Sequence, residues 1–189
     1  ILDFDNLTEE NIYVLDSPIL TNSQFKKFKK FFSTKVKVID CTFDIKSSLK
    51  DRIEKIREES ETAIREGSTN LILSDKNISN QKSSIPSILT VGAVHSHLVK
   101  HGLRGYCSLN VECSDALDTH SFAVLIGVGA TTVNPYLAID SIYQRFEKKL
   151  FGKSDFESCV TKFKKSVDAG LLKIMSKMGI SVISSYRGG

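Results

Sequence analysis

Short runs of β-branched and aliphatic residues alternate along this chain with longer stretches of helical periodicity. The first helical stripe is Phe25, Phe28 and Phe32, with Lys26, Lys27 and Lys30 on the opposite side. Val36 to Cys41 then reads as a strand, and Leu49, Ile53, Ile56, Ala63 and Ile64 share one face of a helix that stops at Gly67. Asn70 to Asp75 reads as a buried strand. Asn77 to Ser84 is polar and turn-rich, and Pro86 suits the first turn of a helix that runs to Gly102. A strand over Tyr106 to Val111, a short helix over His120 to Ile126 and a strand over Thr131 to Val133 follow, with Asn134 and Pro135 as the turn that ends the last. Ala138 to Leu150 returns to helix. Phe156, Val160, Phe163, Val167, Leu171, Ile174 and Met178 hold a further stripe, which Gly170 is in a position to split, and Ile180 to Ile183 reads as a closing strand.

Strands that recur with helical crossovers between them make βα units. The expected fold class is therefore α/β: a mostly parallel sheet, open or incomplete and barrel-like, with helices on both faces. No internal repeat or low-complexity tract interrupts the pattern, so residues 1–189 are expected to form a single domain.

Composition narrows the function classes. With 41% hydrophobic residues, the chain can bury a full core, and its formal net charge of +4 comes from interspersed charges that do not suit a dedicated nucleic-acid partner. The one basic run, Lys26 to Lys37, carries six lysines, but they fall on the solvated side of the phenylalanine stripe. Cys41, Cys107, Cys113 and Cys159 are too sparse for a disulfide framework and read as reduced buried thiols. No apolar stretch approaches the roughly 20 residues that span a bilayer, which argues against a membrane partner. The opening residues ILDFDNLTEEN are acidic and unlike a targeting sequence. The first residue is not Met and the last are Arg187-Gly188-Gly189, so a fragment of a longer chain is expected.

Candidate chemistry is thin. His97 and His101 stand i,i+4 on a predicted helix, a spacing that can offer two imidazoles to one metal. His95 lies about 160° around that helix from His97, and a third ligand would have to come from a distant segment, so the histidines read as surface or hydrogen-bonded structural residues. Cys107 and Cys113 lack the third neighbouring thiol that an iron–sulfur cluster needs. Gly127-Val-Gly-Ala130 lacks the third glycine of a dinucleotide loop and precedes a strand, so it reads as a tight turn. No G-x-S-x-G elbow brings Ser, His and Asp together. The residues themselves define no catalytic, cofactor-binding or metal site.

Five segments in order, VLDSPIL, LILSDK, IPSILTVGAVHSHLVKHGLR, VNPYLAID and GLLKIMSKMGISVISSYRG, resemble the central domain of glutamate synthases, which lies between the glutamine amidotransferase domain and the FMN-binding barrel. The run from Gly170 to Gly188 is the most specific. Ser96, where the family often has a further histidine, is a departure.

The resemblance implies a non-catalytic linking domain of an enzyme that makes glutamate from glutamine and 2-oxoglutarate. Its implied partners are the amidotransferase and FMN-binding domains of the same chain, with ferredoxin or an NADPH-oxidising subunit as electron donor. The implied cofactors of that parent, FMN and a three-iron cluster, belong to other segments, and the implied location is a plastid stroma or a bacterial cytoplasm. Other readings of the residues are a free-standing α/β small-molecule-binding module and an independent barrel flavoenzyme, although neither a phosphate loop nor a flavin-facing cation is identifiable for the latter. Tyr186, Arg187 and Gly188 are the candidates for an interdomain contact. They are expected to emerge from the closing strand at the carboxyl edge of the sheet, with the Arg187 guanidinium suited to a carboxylate on a neighbouring domain.

Overall fold

In the computed structural model, which describes residues 13–188, four parallel strands lie side by side in chain order. They are β1 (Val36–Asp40), β3 (Asn70–Ser74), β5 (Ser108–Glu112) and β6 (Thr132–Asn134). The pairing is in register from Val36 opposite Asn70 to Asp40 opposite Ser74, from Asn70 opposite Ser108 to Ser74 opposite Glu112, and from Asn110 opposite Thr132 to Glu112 opposite Asn134. Successive parallel strands joined by helices are a segment of a βα barrel left open, as the alternating pattern predicts. Two short strands, β2 (Thr42–Asp44) and β4 (Lys82–Ser84), form a separate antiparallel ribbon in segments where no strand pair was expected.

The helices are α1 (Asn22–Phe32), α2 (Leu49–Arg65), α3 (Ser87–Lys100), α4 (Thr119–Gly127), α5 (Tyr136–Glu147) and α6 (Phe156–Lys177). Five of the six starts have a side-chain cause. Thr21 and Gln24 form a capping box on α1, while the side chains of Ser48, Asp118 and Asp155 accept from backbone N–H groups at the starts of α2, α4 and α6. Pro86 lacks a capping side chain, and the Asp115 carboxylate takes over by accepting from the Ser87 N–H at 2.9 Å and its hydroxyl at 2.5 Å.

Strand alternation sorts the side chains onto two unlike faces. Ile39, Leu71, Leu73, Leu109, Val111 and Val133 join the main core with residues of α2, α3, α4 and α6. The opposite face is mixed: Ile72 packs under Phe25 and Phe28 of α1, and beside it runs a buried polar ladder. In that ladder Thr132 Oγ1 donates to Asn110 Oδ1 at 2.7 Å, and Asn110 Nδ2 donates to the Leu71 carbonyl at 3.2 Å. Helices thus cover both faces, the apolar one broadly and the mixed one through α1.

The expected closing strand does not form. Helix α6 ends at Gly179, whose φ of +70° and the Ile180 N–H to Met175 carbonyl bond of 2.9 Å turn the chain back, and Ile183–Tyr186 is a 3-10 turn. A pairing competition explains this. Beside β6, the place a next strand would take is held by Pro18 to Leu20: the Val133 N–H donates to the Pro18 carbonyl at 2.8 Å and the Leu20 N–H to the Val133 carbonyl at 2.9 Å. Helix α6 itself is continuous through Gly170. Its buried stripe ends on Met175, while Met178, expected in the stripe, is 46% exposed. The acidic opening segment lies outside the described residues.

Candidate functional site

In open parallel sheets the carboxyl ends of the strands are where polar side chains converge. Here Glu112, the last residue of β5, is 4% exposed and sits at the centre of that edge. Its carboxylate accepts from Ser74 Oγ at 2.7 Å and pairs with Lys29 Nζ at 3.2 Å and Lys76 Nζ at 3.1 Å. Burial alone would raise its pKa, but the Ser74 hydroxyl and the two ammonium groups outweigh burial and hold it below the ordinary value. Asp75, one residue beyond β3, accepts from the Ser114 N–H at 2.9 Å and its hydroxyl at 2.6 Å. The other Asp75 oxygen is buried without a well-aligned donor. The Tyr136 hydroxyl lies beside this carboxyl and titrates above its usual range, because of burial first and Asp75 second. Asn134 Nδ2 spans to the Leu20 carbonyl at 2.9 Å and Asn22 Oδ1 at 3.0 Å, tying the edge to α1.

This network was not identified in the sequence. Ser74, Asp75, Lys76, Asn134 and Tyr136 fall in two of the family-like segments, and their signal was a polar residue directly abutting a buried run. Chemically the edge is an internally paired cluster of carboxylates, lysines and hydroxyls. Its two serine hydroxyls are both spent on these carboxylates, Ser74 on Glu112 and Ser114 on Asp75. The thiols fit the same picture: all four cysteines are buried and unpaired. Burial pushes Cys41 up to about 12 and raises Cys107 and Cys113 as well, which favours the thiol over the thiolate.

The sequence candidates Tyr186, Arg187 and Gly188 lie at the other edge of the sheet. Helices of βα units run back to the amino ends of the strands, so the segment after α6 arrives there and not at the carboxyl edge. The Gly188 N–H donates to the carbonyl of Gly127, the last residue of α4, at 2.9 Å, and Tyr186 packs against the main core. Close by, Arg104 fastens three elements: its Nε donates to His95 Nδ1 at 3.0 Å, Nη1 to the Cys107 carbonyl at 2.6 Å and Nη2 to the Gly129 carbonyl at 2.8 Å. Because His95 Nδ1 accepts, its proton is on Nε2. Burial, then the charges of Arg104 and Arg187, hold its pKa below the ordinary value. Arg187 is half-buried, its Nε is shielded from solvent, and among the described residues that Nε has no acceptor.

His97 and His101 share one side of α3 as their spacing predicts, with ring centroids 4.2 Å apart. Glu61 of α2 accepts from His97 Nε2 at 2.7 Å. A shallow depression of about 200 Å³ between α3 and α4, lined by Ser87, Asp115 and His120 among others, touches none of these groups.

Comparison with known proteins settles the family. The model of the glutamate synthase central domain matches residues 2–189, and the chain belongs to that family. It is 48% identical to the large chain of the NADPH glutamate synthase of Azospirillum brasilense, over all of this chain and 13% of the relative. It is 38% identical to the chloroplastic ferredoxin-dependent glutamate synthase of Spinacia oleracea, over 93% of this chain and 12% of that one. The chain therefore spans about an eighth of the length of these relatives. A solved structure of a mutant flavocytochrome b2 with pyruvate bound shares the fold, with a TM-score of 0.56 at 16% identity over 89% of this chain and 37% of that one.

Among the described residues the carboxyl edge does not fit a flavin phosphate. A flavin phosphate in a βα barrel needs free N–H groups or cations at the carboxyl edge. This edge instead holds Asp75 and the Glu112 carboxylate, and Glu112 already engages both Lys29 and Lys76. Among the described residues no helix is long and apolar enough to cross a membrane.

Proposed function

We propose that this chain serves as the linking domain of a glutamate synthase, holding an ammonia-producing amidotransferase domain and an FMN-bearing domain of the same polypeptide in a fixed relation. The parent reaction is the formation of glutamate from glutamine and 2-oxoglutarate, with reduced ferredoxin as electron donor or, in the second form, an NADPH-oxidising subunit. A plastid stroma or a bacterial cytoplasm is the corresponding location. The observation that carries the reading is similarity to both forms of the enzyme, over all of this chain for the NADPH form and 93% of it for the ferredoxin-dependent one. The internally paired carboxyl edge and the buried thiols support a structural role, since Glu112 is held by two lysines and a hydroxyl and all four thiols are out of solvent. At the amino edge Tyr186, Arg187 and Gly188 form the interdomain contact, and Arg187 is the member with hydrogen-bonding capacity still to be met.

The test uses the full-length enzyme. Glutamine-dependent glutamate formation from 2-oxoglutarate is measured with reduced ferredoxin and, separately, with NADPH and the NADPH-oxidising subunit. Activity with one donor is expected. Failure to form glutamate with either donor overturns the reading.

A further inference from the structure

The packing of α2 against α3 supplies what the histidine spacing lacked. Glu61 is 36 residues away from His97 along the chain, yet its Oε2 lies 2.7 Å from His97 Nε2. One ligand atom from each of Glu61, His97 and His101 lies within 4.8 Å of the others. We propose that Glu61, His97 and His101 form a binding site for a divalent transition metal, zinc by preference, which clamps α2 to α3.

The chemistry of the donors fits. His101 Nδ1 lies 2.8 Å from the His97 carbonyl. A carbonyl only accepts, so this nitrogen carries the proton and Nε2 is left with its lone pair for a metal. Backbone orientation of the far nitrogen is how metal-binding histidines are commonly fixed. Glu61 Oε1 is held by Arg65 at 2.7 Å, which orients the carboxylate and leaves Oε2 as the ligating oxygen. His97 Nε2 donates to that oxygen in the metal-free state. On binding, a metal takes the place of this proton, which moves to Nδ1 of a neutral ring or leaves to solvent from a charged one. In a tetrahedral site with bonds of about 2.0–2.1 Å the ligand atoms stand about 3.4 Å apart. The two atoms now 2.7 Å apart must open slightly and the His101 ring must swing inward. His97 and Glu61 are about one-fifth exposed and His101 more so, which leaves them room to move. Two imidazoles and one carboxylate suit zinc and its neighbours over calcium or magnesium, and the fourth position faces water.

The experiment titrates zinc into the tag-free full-length enzyme against a chromophoric chelator, and compares it with His101→Ala, with the His97→Ala/His101→Ala double variant and with Glu61→Gln. Because other segments can bind zinc, the difference between wild type and variants is read. Wild type is expected to bind one more zinc per chain than the double variant. His101→Ala and Glu61→Gln are each expected to weaken that zinc by about tenfold or more. Cobalt bound at the same stoichiometry should show the intense visible bands of a tetrahedral site, absent in the double variant. Identical zinc isotherms for wild type and for a double variant with an unchanged circular dichroism spectrum would overturn the proposal, as would loss of the extra zinc in neither single variant.

Discussion

Gly170 in the middle of α6 lies against Thr119 at the start of α4: a Cβ built on Gly170 would stand 2.5 Å from Thr119 Cγ2 and 2.8 Å from its Oγ1. The glycine is a packing requirement at a helix crossing and not a break. Gly170→Ala gains up to about 1 kcal/mol of helix propensity. It also forces a methyl into a short β-branched side chain with little freedom to retreat, at about 1–3 kcal/mol. The expected net result is destabilisation of up to roughly 2 kcal/mol in urea denaturation. Adding Thr119→Ser should restore part of it. A Gly170→Ala domain more stable than wild type would show that the helices separate at little cost.

Glu112 sets an acid limit on stability. Its folded-state pKa is depressed below the ordinary 4.5, so the folded state binds its proton less readily than the unfolded chain. The contribution is fully present above about pH 4.5 and is lost as pH falls through the folded value. Glu112→Gln removes the partner of Lys29 and Lys76. Both lysines are partly in water, so the cost at neutral pH is expected near 1–3 kcal/mol, below that of breaking a fully buried pair. Denaturation midpoints should differ clearly at pH 7 and converge as pH falls from 4.5 through the folded value. A constant gap across that range would mean that the carboxylate charge contributes nothing.

The residues that sequence reasoning read well and those it missed differ in a physical way. Asn70 to Asp75 was legible because a run buried on both faces has no other use for Leu71, Ile72 and Leu73. Ile180 to Ile183 has similar composition, yet no strand forms, because Pro18 to Leu20 already occupies the edge of β6. Propensity is local, whereas a strand needs an open neighbour. The carboxyl-edge network escaped for the same reason: Lys29 meets Glu112 across 83 residues and Ser74 meets it across 38. The α6 stripe was legible, but at its end Met178 caps the helix in solvent, and Met175, one position round the helix from Ile174, takes the buried place. His97 and His101 could be placed on one face from spacing alone. Only the packing of α2 brought Glu61 to them.

Arg187 stands beside Arg104 and His95 at the amino edge of the sheet. Its guanidinium is half-buried near Arg104, and burial lowers its pKa, yet among the described residues its Nε has no acceptor. Arg104 has a distributed set of acceptors in His95 and two carbonyls, whereas the Arg187 Nε, shielded from solvent, has none among the described residues. A planar fork of donors suits a carboxylate of a neighbouring domain, and a lysine would not reproduce its two parallel bonds. Truncating such a pair at an interface costs about 2–5 kcal/mol. In the full-length enzyme, Arg187→Ala is therefore expected to leave glutamine hydrolysis and ammonia-dependent glutamate formation close to wild type. The fraction of released ammonia that reaches the second reaction should fall, and Arg187→Lys should not restore it. The check is to measure both half-reactions separately and then the stoichiometry of glutamine consumed to 2-oxoglutarate converted. If all three are unchanged in Arg187→Ala, the guanidinium makes no contact that the coupling depends on, and the interdomain surface lies elsewhere on the domain.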